Sequence, residues 1–222
     1  MKKNFKNFLY ELFFPKFCLN CKRERSFLCQ DCAALFEISG FHKVFKTKYL
    51  DDLYFALEYK NPLIKKLIQN YKYEPFIKEL SKPLSSLLFA RLQLLEIPLP
   101  IHESIIIPVP LEKKRLKWRG FNHAEKLAVE LSDLLSVLMV KNVLIKKHST
   151  VAQTKLSGNK RRENLFGVFA CQDKSKIKNK KILLVDDIYT TGSTLEATAK
   201  VLKSSGAKEI IGMVIAKAKP KH

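Results

Sequence analysis

The segment Ile182-Leu183-Leu184-Val185-Asp186-Asp187-Ile188-Tyr189-Thr190-Thr191-Gly192-Ser193-Thr194 carries more structural information than any other in this 222-residue chain. A short aliphatic run ends in two adjacent carboxylates, a loop of hydroxyls with one glycine follows, and Leu195 to Lys203 offers a helix. A helix N-terminus presents unpaired backbone N–H groups and a positive dipole end, which suits a phosphate. Gly192 lets the backbone curl and approach an anion closely. The hydroxyls of Thr190, Thr191, Ser193 and Thr194 add donors. Carboxylates repel phosphate, so Asp186 and Asp187, at the carboxyl end of a strand, suit the hydroxyls of a sugar beside it.

The thirteen residues resemble the phosphoribosyl-pyrophosphate (PRPP) loop of type I phosphoribosyltransferases. That resemblance implies that Asp186 and Asp187 hold the ribose hydroxyls, while Thr190, Thr191, Gly192, Ser193 and Thr194 wrap the 5′-phosphate.

Upstream and downstream of this segment, strands alternate with helices. Strands are predicted at Leu53–Tyr59, Ile105–Val109, Val143–Lys146, Phe166–Ala170, Ile182–Val185 and Ile210–Ile215. Helices are predicted at Phe5–Phe14, Pro62–Tyr71, Glu74–Leu95 (interrupted near Pro83), Ala124–Leu138 with Asn122 as cap, and Leu195–Lys203 ended near Gly206. This alternation argues for an α/β fold with a largely parallel sheet flanked by helices. The expected organisation is a metal-binding segment over 1–40, a helical linker or hood over 41–100 and the sheet domain over 101–222.

Four of the five cysteines fall as Cys18-x-x-Cys21 and Cys29-x-x-Cys32. Two such knuckles can turn four thiolates toward one Zn2+. Disulfides would need a secretion signal, and Met1–Phe17 is interrupted by Lys6 and Glu11 and lacks a small-residue cleavage site. Lys22, Arg23 and Arg25 form the tip between the pairs. Cys171 stands alone in a strand-like run and reads as buried.

Lys+Arg number 41 against 21 Asp+Glu, a formal charge of +20. Between Lys141 and Arg162 there are seven basic residues and no acid, and Lys174–Lys181 holds five lysines in eight residues. Such clustering favours a nucleic-acid partner, with a membrane surface the weaker competitor. No apolar run approaches the roughly 20 residues of a membrane span. The expected location is the cytoplasm, with association to the inner membrane only through partners or the basic surface. Lys113, Lys114, Arg115, Lys117 and Arg119 surround Trp118 and Phe121 in a basic loop, and aromatics in such a setting can stack on unpaired bases. The loop His148–Asn164, with Lys155, Lys160, Arg161 and Arg162, is long enough for a lid.

Several ordered segments join these features: Leu57-Glu58-Tyr59-Lys60, Tyr71-Lys72-Tyr73, Pro108-Val109-Pro110-Leu111, Arg119-Gly120-Phe121-Asn122, Gln153-Thr154 and Arg161-Arg162-Glu163-Asn164. With the cysteines and the acidic loop, the chain resembles the ComF (ComFC) family of bacterial competence proteins from about Phe14 to Ala216. One departure is His123, where the family usually has Gln; a histidine at a helix start is expected to face solvent.

The resemblance implies a type I phosphoribosyltransferase-like domain with a small N-terminal four-cysteine zinc finger. It also implies binding of PRPP with Mg2+ and handling of incoming single-stranded DNA in natural transformation, with DNA helicase or recombination proteins as plausible partners. The candidate DNA contacts are Lys22, Arg23, Arg25, Lys113, Lys114, Arg115, Lys117, Trp118, Arg119, Lys155, Lys160, Arg161 and Arg162. No residue is assigned to catalysis. The alternative is an active phosphoribosyltransferase acting on a nucleobase or a nucleotide-related acceptor.

Overall fold

Strands made almost wholly of aliphatic residues are stable only where both faces are covered, and the central strands of this chain take such positions. A computed structural model describes residues 15–95, 103–147 and 167–218. Its main sheet has four parallel strands: β1 (Asp52–Glu58), β2 (Ser104–Pro108), β5 (Lys181–Tyr189) and β6 (Glu209–Lys217), in the order β1-β6-β5-β2. Alternate residues feed opposite faces. Leu183, Val185, Ile211, Met213 and Ile215 enter one core, and Ile182, Leu184, Ile210 and Val214 enter the other. The two short strands β3 (Leu144–Lys146) and β4 (Phe169–Cys171) form a separate antiparallel pair.

The helices are α1 (Gln30–Ala34), α2 (Pro62–Lys72), α3 (Ser81–Gln93), α4 (Lys113–Arg119), α5 (His123–Leu135) and α6 (Ser193–Ser204). In α2 the Asn61 side chain accepts from the N–H groups of Leu63 and Ile64, Pro62 occupies the first turn, and Ile64, Leu67, Ile68 and Tyr71 bury one stripe. The first core also takes in Leu84, Leu87 and Leu88 of α3 and Leu127, Ala128 and Leu131 of α5. Cys18, Leu28, Cys29, Cys32 and Phe36 of the cysteine segment belong to that same core.

Several expectations are corrected. Pro83 does not break a helix: α3 starts at Ser81, so the proline sits in the first turn, where its missing N–H has no helical partner to lose. Upstream of it only Lys78–Leu80 is helical, as a 3-10 turn. The basic segment after β2 is the helix α4, not a loop; it has no internal Gly or Pro and ends at Gly120 in the left-handed conformation, φ 77°. Helix α5 stops at Leu135 because Ser136 turns left-handed, freeing Leu138 and Val140 to bond Ile106 beside β2. Asn122 does not cap α5 with its side chain, which donates to the Val109 carbonyl at 3.0 Å. Cys171 is only half-buried. The strand expected at Phe166–Ala170 is the shorter β4, and the motif strand runs on to Tyr189 because Ile188 and Tyr189 pair with Ala216 and Lys217. The Phe5–Phe14 helix, the 97–101 linker and the 148–164 loop lie outside the described residues.

Candidate functional site

The site is created by unequal strand lengths. β2 ends at Pro108 opposite Val185, while β6 continues alongside β5 with Val214 opposite Asp186. Asp186 and Asp187 therefore extend past the end of one neighbouring strand, into the crevice where open α/β sheets place ligands. Asp187 is 5% exposed, and its Oδ1 accepts from Lys72 Nζ at 2.9 Å. Asp186 Oδ1 accepts from the Asp187 backbone N–H at 2.9 Å.

Burial pushes the Asp186 carboxyl up to about 7, and the neighbouring Asp187 charge pushes the same way against Lys72 and Lys146. For Lys72 burial favours loss of the proton, but Asp187 and then Asp186 outweigh it and hold the ammonium above its ordinary value. An acid with a raised folded-state pKa keeps its proton after the unfolded chain has lost its own. Its contribution to stability is therefore largest at low pH and declines as pH rises through about 4 to 7. Asp186→Asn is accordingly expected to melt above the wild type at pH 8, with the advantage fading near pH 5. A constant difference across that range would exclude the pKa as its cause.

Past Tyr189 the chain turns through Thr190 and Thr191 into α6. Thr190 and Thr191 are exposed and Ser193 and Thr194 half-buried. The hydroxyls of Thr191 and Ser193 lie 2.7 Å apart. Gly192 has φ 75°, and a Cβ built on it would collide with the Tyr189 ring and hydroxyl. Both the dihedral and the ring exclude a side chain there. Gly192→Ala should cost about 1–3 kcal/mol by thermal or chemical denaturation; a neutral outcome would mean that the turn is not held in this shape.

Nothing in the motif Tyr71-Lys72-Tyr73 hints that Lys72 reaches an acid 115 residues away. Lys72 is thus a site residue that sequence reading missed, as is Lys146, which burial and the Arg115 charge hold below its ordinary pKa within the field of Asp186. His123 is corrected outright: it is 3% exposed. Its Nε2 lies 2.8 Å from the Tyr71 carbonyl, which can only accept, so Nε2 carries the proton. Nδ1 then accepts from Arg119 Nη1 at 3.3 Å. The Tyr71 hydroxyl donates back to the His123 carbonyl at 2.8 Å. Burial lowers the His123 pKa to about 4, so the ring is a neutral structural clasp between α2 and α5. A glutamine amide also offers one donor and one acceptor, which makes the exchange physically reasonable.

Cys18, Cys21, Cys29 and Cys32 place their sulfurs within 4.8 Å of one another, and Cys21 Sγ lies 3.5 Å from Cys29 Sγ. A tetrahedral centre with metal–sulfur bonds near 2.3 Å requires sulfurs about 3.8 Å apart, so the donor set fits a metal ion. For Cys18, burial opposes ionisation, but backbone N–H groups of Cys29, Cys21 and Asn20 draw its pKa down to about 6. Cys32 receives a hydrogen bond from Asn20, yet burial and the other thiols push it up to about 11. A bound cation would favour the thiolate form of its sulfur donors.

Of the candidate DNA contacts, Lys22, Arg23, Arg25, Lys113, Lys114, Arg115, Lys117 and Trp118 are exposed; Arg23 is ion-paired with Asp31. Arg119 is half-buried, as is Phe121, which packs against Tyr71 and His123. One groove is lined both by Phe27 of the knuckle and by Arg119 and Phe121 at the end of α4, together with Phe76. Lys155, Lys160, Arg161 and Arg162 lie outside the described residues. Among the described residues no helix is long and apolar enough to cross a membrane.

A parallel sheet with twin acids on a central strand, followed by a hydroxyl turn and a helix N-terminus, defines a type I phosphoribosyltransferase fold. Residues 117–222 match the phosphoribosyl transferase domain family. Competence protein F of Haemophilus influenzae is 39% identical over 106 residues, 47% of this chain and 46% of that protein. The DNA utilization protein YhgH of Escherichia coli O157:H7 is 33% identical, over 47% of this chain and 45% of that protein. These two alignments span about half the length of the relatives. Competence protein ComFC of Streptococcus pneumoniae is 30% identical over 202 residues, 87% of this chain and 77% of that protein. The chain belongs to the ComF/ComFC family of competence-related, phosphoribosyltransferase-like proteins.

Proposed function

We propose that this protein binds PRPP with Mg2+ at the Asp186–Thr194 site and handles single-stranded DNA during natural transformation, with Zn2+ holding the N-terminal knuckle. The observation that carries the sugar-phosphate reading is the juxtaposition of Asp186 and Asp187 with the Gly192 turn and the N-terminus of α6. The acids would accept from ribose hydroxyls, and the turn would donate to the 5′-phosphate. Magnesium would be held chiefly by the ligand's own phosphates. Two cations beside the acids, Lys72 and Lys146, could steady a pyrophosphate, which also favours a second reading as an active transferase. Pyrophosphate release from PRPP, measured with and without nucleobases and single-stranded DNA, separates the two readings.

The DNA reading is supported by the +20 charge, by exposed cations on both the knuckle and α4, and by the groove between them. The names of the relatives, competence and DNA utilization, agree with it. Binding of a fluorescent oligo(dT) should weaken with salt, with a log–log slope of about −0.7 per phosphate contacted. A flat response in anisotropy titrations would discredit the basic surface. Division of labour would follow the chain, with 1–40 as the metal knuckle, 41–100 as the hood and 101–222 as the sugar-phosphate unit. Helicase or recombination proteins remain the proposed partners.

A further inference from the structure

Just outside the acidic pair, side chains from two segments distant in sequence come together. Tyr73 directly follows Lys72, whose ammonium bonds Asp187. Trp118 and Arg119 close helix α4. The Arg119 guanidinium carbon lies 5.8 Å from the ring centroid of Tyr73 and 5.8 Å from that of Trp118. One cation is therefore flanked by two rings, at the outer limit of cation–π contact. Phe76 meets Trp118 edge-on, centroids 5.0 Å apart at 86°, and so buttresses the indole. Yet Trp118 is 59% exposed and Tyr73 52%.

Arg119 itself is oriented from behind by His123 Nδ1, and its Nε is buried without a hydrogen-bond partner among the described residues. A buried donor left unpaired is costly unless something completes it. Large rings held in place but half in water, around a fixed cation, are surfaces for a planar π system. Exposed Lys113, Lys114 and Lys117 on the same helix supply charge for an accompanying phosphate chain.

We infer that Tyr73, Trp118 and Arg119 form a stacking platform for an unpaired nucleobase, contiguous with the sugar-phosphate site and buttressed by Phe76. The inference rests on the nucleic-acid reading above and gives it a location. Stacking tolerates any base, because each has a π face, while the guanidinium can stack or donate to a base edge. The base can come from a DNA strand or from a free nucleotide.

Trp118 is the only tryptophan in the chain, so fluorescence excited beyond the tyrosine absorption band reports on the platform alone. The full-length zinc-loaded protein is titrated with oligo(dT), with an abasic oligonucleotide of equal length and with AMP. Quenching by oligo(dT) and not by the abasic strand supports the platform with DNA as the source. Quenching by AMP without quenching by oligo(dT) supports it with a free nucleotide as the source. No quenching by either, or equal quenching by the abasic strand, overturns it. Tyr73→Ala should weaken binding of whichever probe quenches, oligo(dT) or AMP, about ten-fold while abasic binding holds; unchanged affinity for that probe overturns the inference independently. Calorimetry with PRPP on the same protein tests the sugar site by itself, so a silent titration there would end that reading without touching the fluorescence result.

Discussion

Replacing Asp186 and Asp187 together by asparagine is expected to lower PRPP affinity about a hundred-fold or more, with the protein still folded. A hydrogen bond to a charged group contributes about 1.5–3 kcal/mol, and two acids facing sugar hydroxyls would each contribute one or more. Asparagine keeps the shape and an acceptor oxygen, so the crevice should not collapse. The complication is Lys72, which loses its carboxylate partner. Its side chain is about a quarter exposed, so water relieves part of that loss. Lys72→Met provides the converse comparison: it leaves Asp187 buried without its cation and should destabilise the fold more than Asp187→Asn does. Calorimetric titration of PRPP with Mg2+, alongside circular dichroism, measures both outcomes. Undiminished affinity in a folded double variant would remove the acids from the binding site.

Stripping the metal is expected to disturb far more than the knuckle. Cys18, Cys29 and Cys32 are buried in the same core as Tyr71, Leu84 and Leu88, so the cysteine segment is not an independent appendage. Apparent zinc affinity in small zinc domains is about 10–16 kcal/mol, as large as the roughly 5–15 kcal/mol that holds a whole domain. Even a partial loss passed to this shared core should lower Tm by about 10 °C or more, because 1 kcal/mol moves a chain of this size by about 2–4 °C. Thermal melting with a high-affinity chelator, and of Cys32→Ala, measures the drop; native mass spectrometry counts the metal. A melting curve unmoved by chelation would mean that the thiols hold the segment without an ion.

Local chemistry was readable from local sequence. The order of aliphatic strand, twin acids, hydroxyl turn and helix at 182–203 survives intact, as do the helix start at Pro62 and the four-cysteine cluster. Each depends on neighbours within a few residues. Misreadings arose where a residue's role depends on a distant partner. His123 looks like an exposed helix start until Tyr71 and Arg119 close around it. Lys72 looks like one lysine among many until β5 carries Asp187 beside it.

The amino-acid sequence by itself determined the chemistry on offer: two carboxylates before a hydroxyl-rich turn, four thiols at metal spacing and a strong excess of basic residues. Periodicity and backbone conformational preference act over a few residues, so these features need no knowledge of the rest of the chain. Only the tertiary structure decided that β2 stops short of β5, which opens the crevice around Asp186 and Asp187. It alone set Lys72 against Asp187 and gathered Tyr73, Trp118 and Arg119 into one surface. Strand register and helix packing are settled by burying two opposite faces of one sheet at once, and that condition belongs to the whole chain.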